Sequence, residues 1–529
     1  MTGSLYFTLA QINPLVGDVR YNTELVARHW QECASDLILF PECVLSGYPA
    51  DDLILNQSFL ACIKHHFENL VSQSLHFSAG AIITLPWVEN GLTYNAAFLV
   101  EGGKVLGRVL KHNLPNYGTF DDKRVFVSGA LPEPIEFRGH KIGVLVCEDT
   151  WFPEPALHLK KQGATILLSA NASPFEWTKH PRRHAVLMAR VRETGLPLIY
   201  VNQVSGHDDL LYDGGSCVLN TAGEVTHQLP FFEECVFTLP SDKYKNAPFF
   251  PDNYALLYQA LCFGLKEYVR KNGFKTVVIG LSGGIDSALT AALSVDALGS
   301  DNVRCVMMPS RFTSPKSLED AQKCADLLGV AYDTISIEPP LAAYESLIPL
   351  PGLAHENIQS RIRGTILMAL SNQTGAMVVT TGNKSEMAVG YATLYGDMCG
   401  GYNALKDVYK TDVFKLAWWR NTQNPAIPES TITRPPTAEL KAGQTDQDSL
   451  PPYDILDKVL HGLIEDNLGV DDMVARGFDR DLVLRVFHLL DASEYKRKQS
   501  APGTKVSRKA FGRDRRYPIV NGFRKNIER

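Results

Sequence analysis

The sequence predicts an α/β protein made of two successive domains, and three features predict it. Short apolar strand-like runs alternate with amphipathic helical runs from residue 4 to about residue 240. A proline-rich, polar stretch at 241–253 then breaks the alternation. Beyond it a strand-like run, 275–281, enters the turn Ser282-Gly283-Gly284-Ile285-Asp286-Ser287, and an alanine-rich helical run, 288–298, leaves it. The expected domains are therefore 1–240 and 254–529, joined by a linker at 241–253. A chain of 529 residues is long enough for two or three domains.

Composition narrows the class. Apolar residues make up 45% of the chain and charged residues 21%, as in ordinary globular proteins. A net charge of −6 speaks against a general nucleic-acid binder. The first residues carry no basic run, so no signal peptide is expected. No stretch approaches the ~18 apolar residues of a membrane span. Ten cysteines lie scattered with neither a CxxC pair nor metal-ligand spacing, which favours a reduced, cytoplasmic setting.

In the first half, residues 4–13 read as a strand. A helix follows over 22–33, with Leu25, Val26, Trp30 and Cys33 at helical spacing and Asn22 as its N-cap. Further strands are expected at 36–40, 79–85, 95–100, 104–110, 141–146, 165–169, 198–202 and 216–219, and helices near 57–73, 154–162 and 181–194. Glu42, Lys111 and Cys147 each follow one of these strands. Ligands in α/β folds collect at the carboxyl ends of strands. A thiol needs a base to become a thiolate and a cation to favour the anion, and Glu and Lys supply both. Taken alone, a cysteine at a strand end is more often a small core residue, and a Lys or Glu there a solvated edge.

The surrounding words shift that balance. Phe40-Pro41-Glu42, Lys111-His112-Asn113-Leu114-Pro115 and Val146-Cys147-Glu148-Asp149-Thr150-Trp151 resemble, in order, the catalytic segments of nitrilase-like carbon–nitrogen hydrolases. The resemblance covers roughly residues 4–240 and implies an αββα sandwich. It makes Cys147 the nucleophile, Glu42 the general base and Lys111 the stabiliser of the oxyanion. The Cys-Glu-Asp-x-Trp wording is most similar to the glutaminase branch, which places Tyr48, Tyr117, Glu148, Ser173 and Lys179 around a glutamine.

In the second half a helix is expected over 254–269. Strand, glycine turn and helix start together aim backbone N–H groups and a helix dipole at a phosphate. Ser282 and Ser287 add hydroxyls, and Asp286 suits a divalent metal. The lysine-bearing GxxxxGK[ST] loop is absent, so this is not the usual NTPase P-loop. Strands follow at 303–309, 331–337 and 377–382, with helices at 317–328 and 356–370. Arg361 and Arg363 lie two apart, so they point to different helix faces. Residues 434–453 form a long polar stretch without periodicity, as lids and tails do. Helices at 453–467 and 479–492 precede a markedly basic tail from Tyr495 onward.

Residues 277–287, 309–314, 356–363 and 380–412 resemble, in order, the blocks of NAD synthetases. Ser-Gly-Gly-x-Asp-Ser, Thr-Gly-Asn-Lys-Ser-Glu (381–386) and Tyr-Gly-Asp (395–397) are the most telling. The whole chain is thus similar to the glutamine-dependent NAD synthetases, in which a glutaminase feeds ammonia to an adenylating domain. That implies a doubly wound, Rossmann-like parallel sheet. ATP would meet Gly280, Leu281, Ser282, Gly283, Gly284, Ile285, Asp286 and Ser287, with Thr381, Lys410 and Thr437. Deamido-NAD would meet Asn357, Arg363, Glu386, Asp397 and Lys509. Asp286 and Glu386 would hold Mg²⁺, Lys410 would neutralise the leaving pyrophosphate, and Lys384 is a weaker candidate for the same work. The resemblance further implies a lid over 434–453, a homo-oligomer, and a buried channel for ammonia between the sites.

Other readings compete. GMP synthetases share the second half but use a Cys-His-Glu glutaminase, which is missing here. Asparagine synthetases need an amino-terminal cysteine, whereas Thr2 follows Met1. RNA-modifying enzymes use the same phosphate loop, and the basic tail taken alone suggests RNA; anionic substrates or a subunit interface explain it equally well. A degenerate, non-catalytic scaffold is opposed by the intact Glu42, Lys111, Cys147, Asp286 and Glu386.

Overall fold

The computed structural model describes residues 5–240, 243, 245, 253–441, 443–448 and 450–523. These fall into two compact units. One takes the residues up to His207 together with those from Leu211 to the end of the first half, and the other takes Asp208–Leu210 and everything from residue 253 on. The expected linker at 241–253 lies largely outside the described residues.

The first unit is built from two six-stranded sheets. One has the order Cys235–Thr238, Phe7–Gln11, Leu37–Leu39, Gly80–Glu89, Leu92–Glu101, Lys104–Leu110. The other runs Val225–Gln228, Cys217–Leu219, Leu198–Asn202, Ile166–Asn171, His140–Val146, Ile135–Phe137. Side chains alternate across a strand. Leu9, Leu37, Leu39 and Leu99 of the first sheet therefore pack against Val144, Val146, Leu168 and Val201 of the second. Their neighbours Ala10, Ile38 and Phe98 point the other way, onto Trp30 of the helix Val19–Gln31 and Ile63 and Phe67 of the helix Gln57–Gln73. On the far side, Leu145, Leu167 and Tyr200 pack against Leu159 of the helix Pro153–Lys161 and Leu187 and Val191 of the helix His180–Thr194. Helix, sheet, sheet, helix is the expected αββα sandwich.

One capping residue differs from expectation. The first helix begins at Val19, and Asp18 caps it by accepting the Tyr21 N–H at 3.0 Å. Asn22 lies one turn inside, where its amide clamps the Leu15 backbone (2.8 and 2.7 Å) and the Leu45 carbonyl. A buried amide satisfied by loop backbone is as good a reason for Asn as a cap.

The second unit holds a five-stranded sheet, ordered Ala331–Thr334, Val303–Met307, Val277–Gly280, Met377–Thr380, Tyr402–Asn403, with every pair parallel. Chain order reverses between Val277–Gly280 and Met377–Thr380. That is the switch point where doubly wound sheets take their ligands. One face packs Val278, Val306 and Val378 against Leu341 of the helix Glu338–Leu347 and Ile362 and Leu367 of the helix Leu353–Thr374. The helix Ile285–Leu298 packs on Val277–Gly280 and Val303–Met307. A separate helical cluster joins the helices Tyr453–Ile464, Val470–Ala475 and Arg480–Ala492 to the short helix Lys384–Val389. Among the described residues no helix is long and apolar enough to cross a membrane.

Close packing of the sandwich generates a test. Gly80 has no room for a side chain, because a Cβ there would lie 2.6 Å from the Phe137 ring. Gly80→Ala is expected to cost about 1–3 kcal/mol through overpacking. Amide exchange read by mass spectrometry should speed up in both sheets of the first unit; unchanged protection would mean that the ring has space to move.

Candidate functional sites

In the first unit the strand Leu37–Leu39 delivers Glu42, the strand Lys104–Leu110 delivers Lys111, and the strand His140–Val146 delivers Cys147. All three residues are buried. Lys111 Nζ lies 2.7 Å from Glu42 Oε1 and 2.7 Å from Asp122 Oδ2. Burial works against this cation, yet Asp122 and then Glu42 lift its pKa well above the usual lysine value. Glu42 also accepts from Asn95 Nδ2 at 2.8 Å and from the Ala172 N–H at 3.0 Å, so its carboxylate is held from three sides.

Cys147 opens a tight helical turn, Cys147–Trp151, with φ at +46°, a left-handed conformation that non-glycine residues rarely adopt. Burial, and next the Glu42 charge, push its thiol well up. Two residues on, Asp149 accepts the Asn113 N–H at 2.7 Å and the His112 N–H at 3.3 Å. It thereby ties the cysteine turn to the segment just after Lys111. Burial pushes Asp149 up to about 6 despite those donors.

The expected glutamine pocket residues gather nearby in two pairs. Tyr117 donates to Glu148 Oε1 at 2.9 Å, and Lys179 Nζ donates to Ser173 Oγ at 2.9 Å while lying over the Trp151 ring. Burial, then Arg183, pushes Lys179 down to about 8. Tyr48 sits deeper, its hydroxyl spent on Asp122 Oδ1 at 2.7 Å. Asp122 and Asn95 escaped the sequence reading. Asp122 opens the one-turn helix Asp122–Val125, 11 residues beyond Lys111, where nothing in sequence pattern or spacing marks it.

In the second unit the Ser282–Ser287 turn lies at the switch point. Gly283 has φ +79°, and a Cβ on it would lie 2.3 Å from the Ser317 carbonyl, so only glycine fits. Ser287 Oγ accepts the Ser282 N–H at 3.1 Å and donates to the Gly284 carbonyl at 2.9 Å, which closes the turn. A cleft of about 380 Å³ opens over it. Its lining includes Ser282, Gly284, Ile285, Asp286, Ser287, Asn357, Arg363, Thr381, Glu386, Asp397, Lys410 and Thr437. A neighbouring cavity of about 200 Å³ is lined by Gly280, Leu281, Ser282, Arg363, Thr381 and Asp397, among others. Lys509 lines neither; its N–H is tied to Glu465 Oε2 at 2.8 Å.

Lys410 Nζ sits between the two carboxylates, 2.5 Å from Asp286 Oδ2 and 2.9 Å from Glu386 Oε1. Burial opposes its charge, but Asp286 and then Glu386 hold its pKa well above normal. Asn383 donates to Asp286 Oδ1 at 2.8 Å and accepts the Glu386 N–H at 3.0 Å, fixing both acids at once. Asp397 is held by Ser360 Oγ and the Thr393 N–H, and burial raises its pKa. Arg363 donates to the Met308 carbonyl, and burial pushes it down to about 10. Arg434, Glu439 and Asp446 also line the larger cleft and were not singled out from sequence. They come from the 434–453 stretch, whose lack of periodicity hides which side chains turn inward.

Two expectations need correcting. Lys384 does not face the phosphate loop. Its ammonium is buried against Asp407 (2.8 Å), Glu465 (2.5 Å) and Ser507 Oγ (2.6 Å), because the helix Lys384–Val389 turns that face toward the carboxy-terminal segment. The basic tail is only partly open: Arg497 and Arg515 are buried on Glu494 and Lys505 beside Asp514, while Lys498, Arg508 and Arg516 are exposed.

Fold and sites together define a carbon–nitrogen hydrolase joined to a nucleotide-dependent synthetase. Residues 8–247 match the carbon–nitrogen hydrolase family, and residues 257–500 match the NAD synthase family. The glutamine-dependent NAD(+) synthetase of Rhodobacter capsulatus is 47% identical over 99% of this chain and all of its own length. That of Acinetobacter baylyi is 44% identical over 98% and 99%. The solved structure of the Acinetobacter baumannii glutamine-dependent NAD+ synthetase, in complex with ADP, superposes with a TM-score of 0.78 at 41% identity, covering 98% of this chain and 99% of that one. The Cytophaga hutchinsonii synthetase shares the fold, with a TM-score of 0.86 at 21% identity and 99% coverage of each chain. The chain belongs to the glutamine-dependent NAD(+) synthetases.

The second carboxylate on Lys111 is testable. Asp122→Asn should lower the rate of glutamine hydrolysis by roughly ten- to a hundredfold by loosening the ammonium. NAD formation from added ammonium should stay unchanged; a normal glutaminase rate would show that Glu42 alone positions Lys111.

Proposed function

We propose that this protein makes NAD+ from deamido-NAD+, ATP and glutamine, with the residue roles that follow. The observation that carries the glutaminase half is the buried Lys111–Glu42 pair beside the Cys147 thiol. Cys147 Sγ attacks the glutamine amide carbon as its proton passes to Glu42. Lys111 stays protonated and faces the oxygen that gains charge. Glu42 returns the proton to the departing nitrogen, so ammonia leaves and a thioester remains. Glu42 then takes a proton from water, which attacks the thioester and releases glutamate. Glu148 with Tyr117, and Lys179 with Ser173, offer an anion and a cation to the two charged groups of the amino acid.

In the second unit the Ser282–Ser287 turn and the start of the helix Ile285–Leu298 offer N–H groups, hydroxyls and a helix dipole to the ATP phosphates. The nicotinate carboxylate attacks the α-phosphorus and pyrophosphate leaves; ammonia then attacks the acyl carbon of the adenylate, AMP leaves, and the new amide loses a proton. Asp397, Arg363 and Asn357 line the same cleft and would take the pyridine half. Asp286 and Glu386 present hard oxygen donors on facing elements, which suits Mg²⁺. Among the described residues no three His, Cys, Asp or Glu side chains form a metal cage, so phosphate oxygens and water would complete the shell. When bound, Mg²⁺ would neutralise charge on the phosphates.

Turnover with Mg-ATP and deamido-NAD+ tests the whole reading. Wild type should make NAD+ and AMP from glutamine or ammonium. Cys147→Ala should lose at least about a thousandfold with glutamine and nothing with ammonium. Glutamine-driven synthesis at the wild-type rate in that variant would remove the thiol from the mechanism.

Lys179 gives a pH signature. Its pKa is pushed down to about 8, so its cation is lost as pH rises through that value. The KM for glutamine should therefore climb above about pH 8 while kcat changes less, and Lys179→Arg should abolish the inflection. The same inflection in the arginine variant would assign it to another group.

A further inference from the structure

Lys410 occupies the ground that a metal held by Asp286 and Glu386 would need. Its Nζ bridges Asp286 Oδ2 and Glu386 Oε1 at 2.5 and 2.9 Å. The other Asp286 oxygen is already used by Asn383 Nδ2. An ion drawn to the two acids would meet the ammonium that already bridges them. The two cations also repel, and a low-dielectric setting strengthens that repulsion. Lys410 is the first residue of the helix Lys410–Gln423, and its own N–H is pinned to Ser385 Oγ at 2.9 Å. The backbone is therefore fixed, and only the flexible four-carbon stem can carry the ammonium elsewhere. The ammonium is buried over the Tyr453 ring and faces the cleft that opens over the Ser282–Ser287 turn.

We propose that Lys410 is the resident cation of this site, exchanged for the metal when the nucleotide arrives: the ammonium leaves the two acids as the metal takes them, and it moves onto phosphate oxygens. This rests on the metal reading given above and adds an order of events. Without phosphates the cleft still offers the ammonium Asp446, but that carboxylate already accepts from Tyr453 at 2.9 Å, so the metal alone is disfavoured. With phosphates the exchange leaves every buried charge paired. Lys410 thus suppresses metal binding before ATP and assists it afterwards, a coupling of two ligands through one side chain.

The test is metal binding to the full-length protein, with Mn²⁺ as the probe, followed by electron paramagnetic resonance of the free ion. Without nucleotide, Lys410→Met is expected to bind Mn²⁺ at least about tenfold more tightly than wild type. Asp286→Asn in the same background should take that gain away. Lys410→Gln, which keeps a donor for one carboxylate, provides the same comparison if the methionine variant does not fold. Equal or weaker Mn²⁺ binding by the folded Lys410 variant would overturn the exchange, even with Mn²⁺–ATP binding normal. Failure of wild type to bind Mn²⁺ together with ATP would instead overturn the metal reading on which the exchange stands.

Discussion

Among the described residues three lysines are no more than 2% exposed, and each stands between two carboxylates. Lys111 has Glu42 and Asp122, Lys384 has Asp407 and Glu465, and Lys410 has Asp286 and Glu386. An ammonium taken out of water costs several kcal/mol unless nearby anions and hydrogen bonds replace its hydration. Each cluster therefore constrains at least three chain segments at once, and the segments it joins are far apart in sequence. In each a single lysine faces two acids, so the acids outnumber the cation; beside Lys410, burial pushes Glu386 up to about 7. The excess is tolerable only with further donors, which is the work of Asn95 and the Ala172 N–H on Glu42, Asn383 on Asp286, and the Lys509 N–H on Glu465.

The same arrangement serves different ends. Around Lys384 it is structural, fastening the carboxy-terminal segment through Asp407, which takes the Val506 and Ser507 N–H groups at 2.8 and 2.7 Å. The helix Lys384–Val389 is thereby anchored on one side while Glu386, two residues on, reaches the cleft on the other. Around Lys111 the cluster adjoins Cys147, a buried thiol whose backbone is left-handed. Around Lys410 it lines an open cleft, and its neighbours are the turn and acids that a nucleotide would meet. What adjoins the cluster, a thiol at Lys111 and a cleft at Lys410, separates the three; burial of the pair does not, since Lys111–Glu42 is as buried as Lys384–Asp407.

Backbone geometry explains where these clusters lie. In the sandwich, Leu37–Leu39 and Gly80–Glu89 run parallel, and two antiparallel steps bring Lys104–Leu110 back to the same direction. Glu42 and Lys111 therefore emerge at one edge, and the second sheet brings Cys147 to meet them. In the other unit the reversal of strand order beside Val277–Gly280 opens the crevice, and Gly283 lets the chain pass close to Ser317 on its way into the helix.

The local words of the sequence were enough for the α/β class, the sandwich and the parallel sheet, and for Glu42, Lys111, Cys147 and the Ser282–Ser287 turn. Those features are written in short-range order: alternation that sets a strand's buried faces, glycines where a turn forbids a Cβ, and polar residues just past strand ends. What only the tertiary structure decided was pairing. Asp122 looks like any loop acid until Lys111 needs a second counter-charge. Lys384 reads as a phosphate ligand until the helix carrying it turns inward, and nothing in the basic tail says that Arg497, Lys505 and Arg515 are buried on acids. Residues 434–453 carry no periodicity from which to choose Glu439 or Asp446. A buried charge is stabilised by whichever partner the fold brings within about 3 Å, and sequence separation carries no information about that distance.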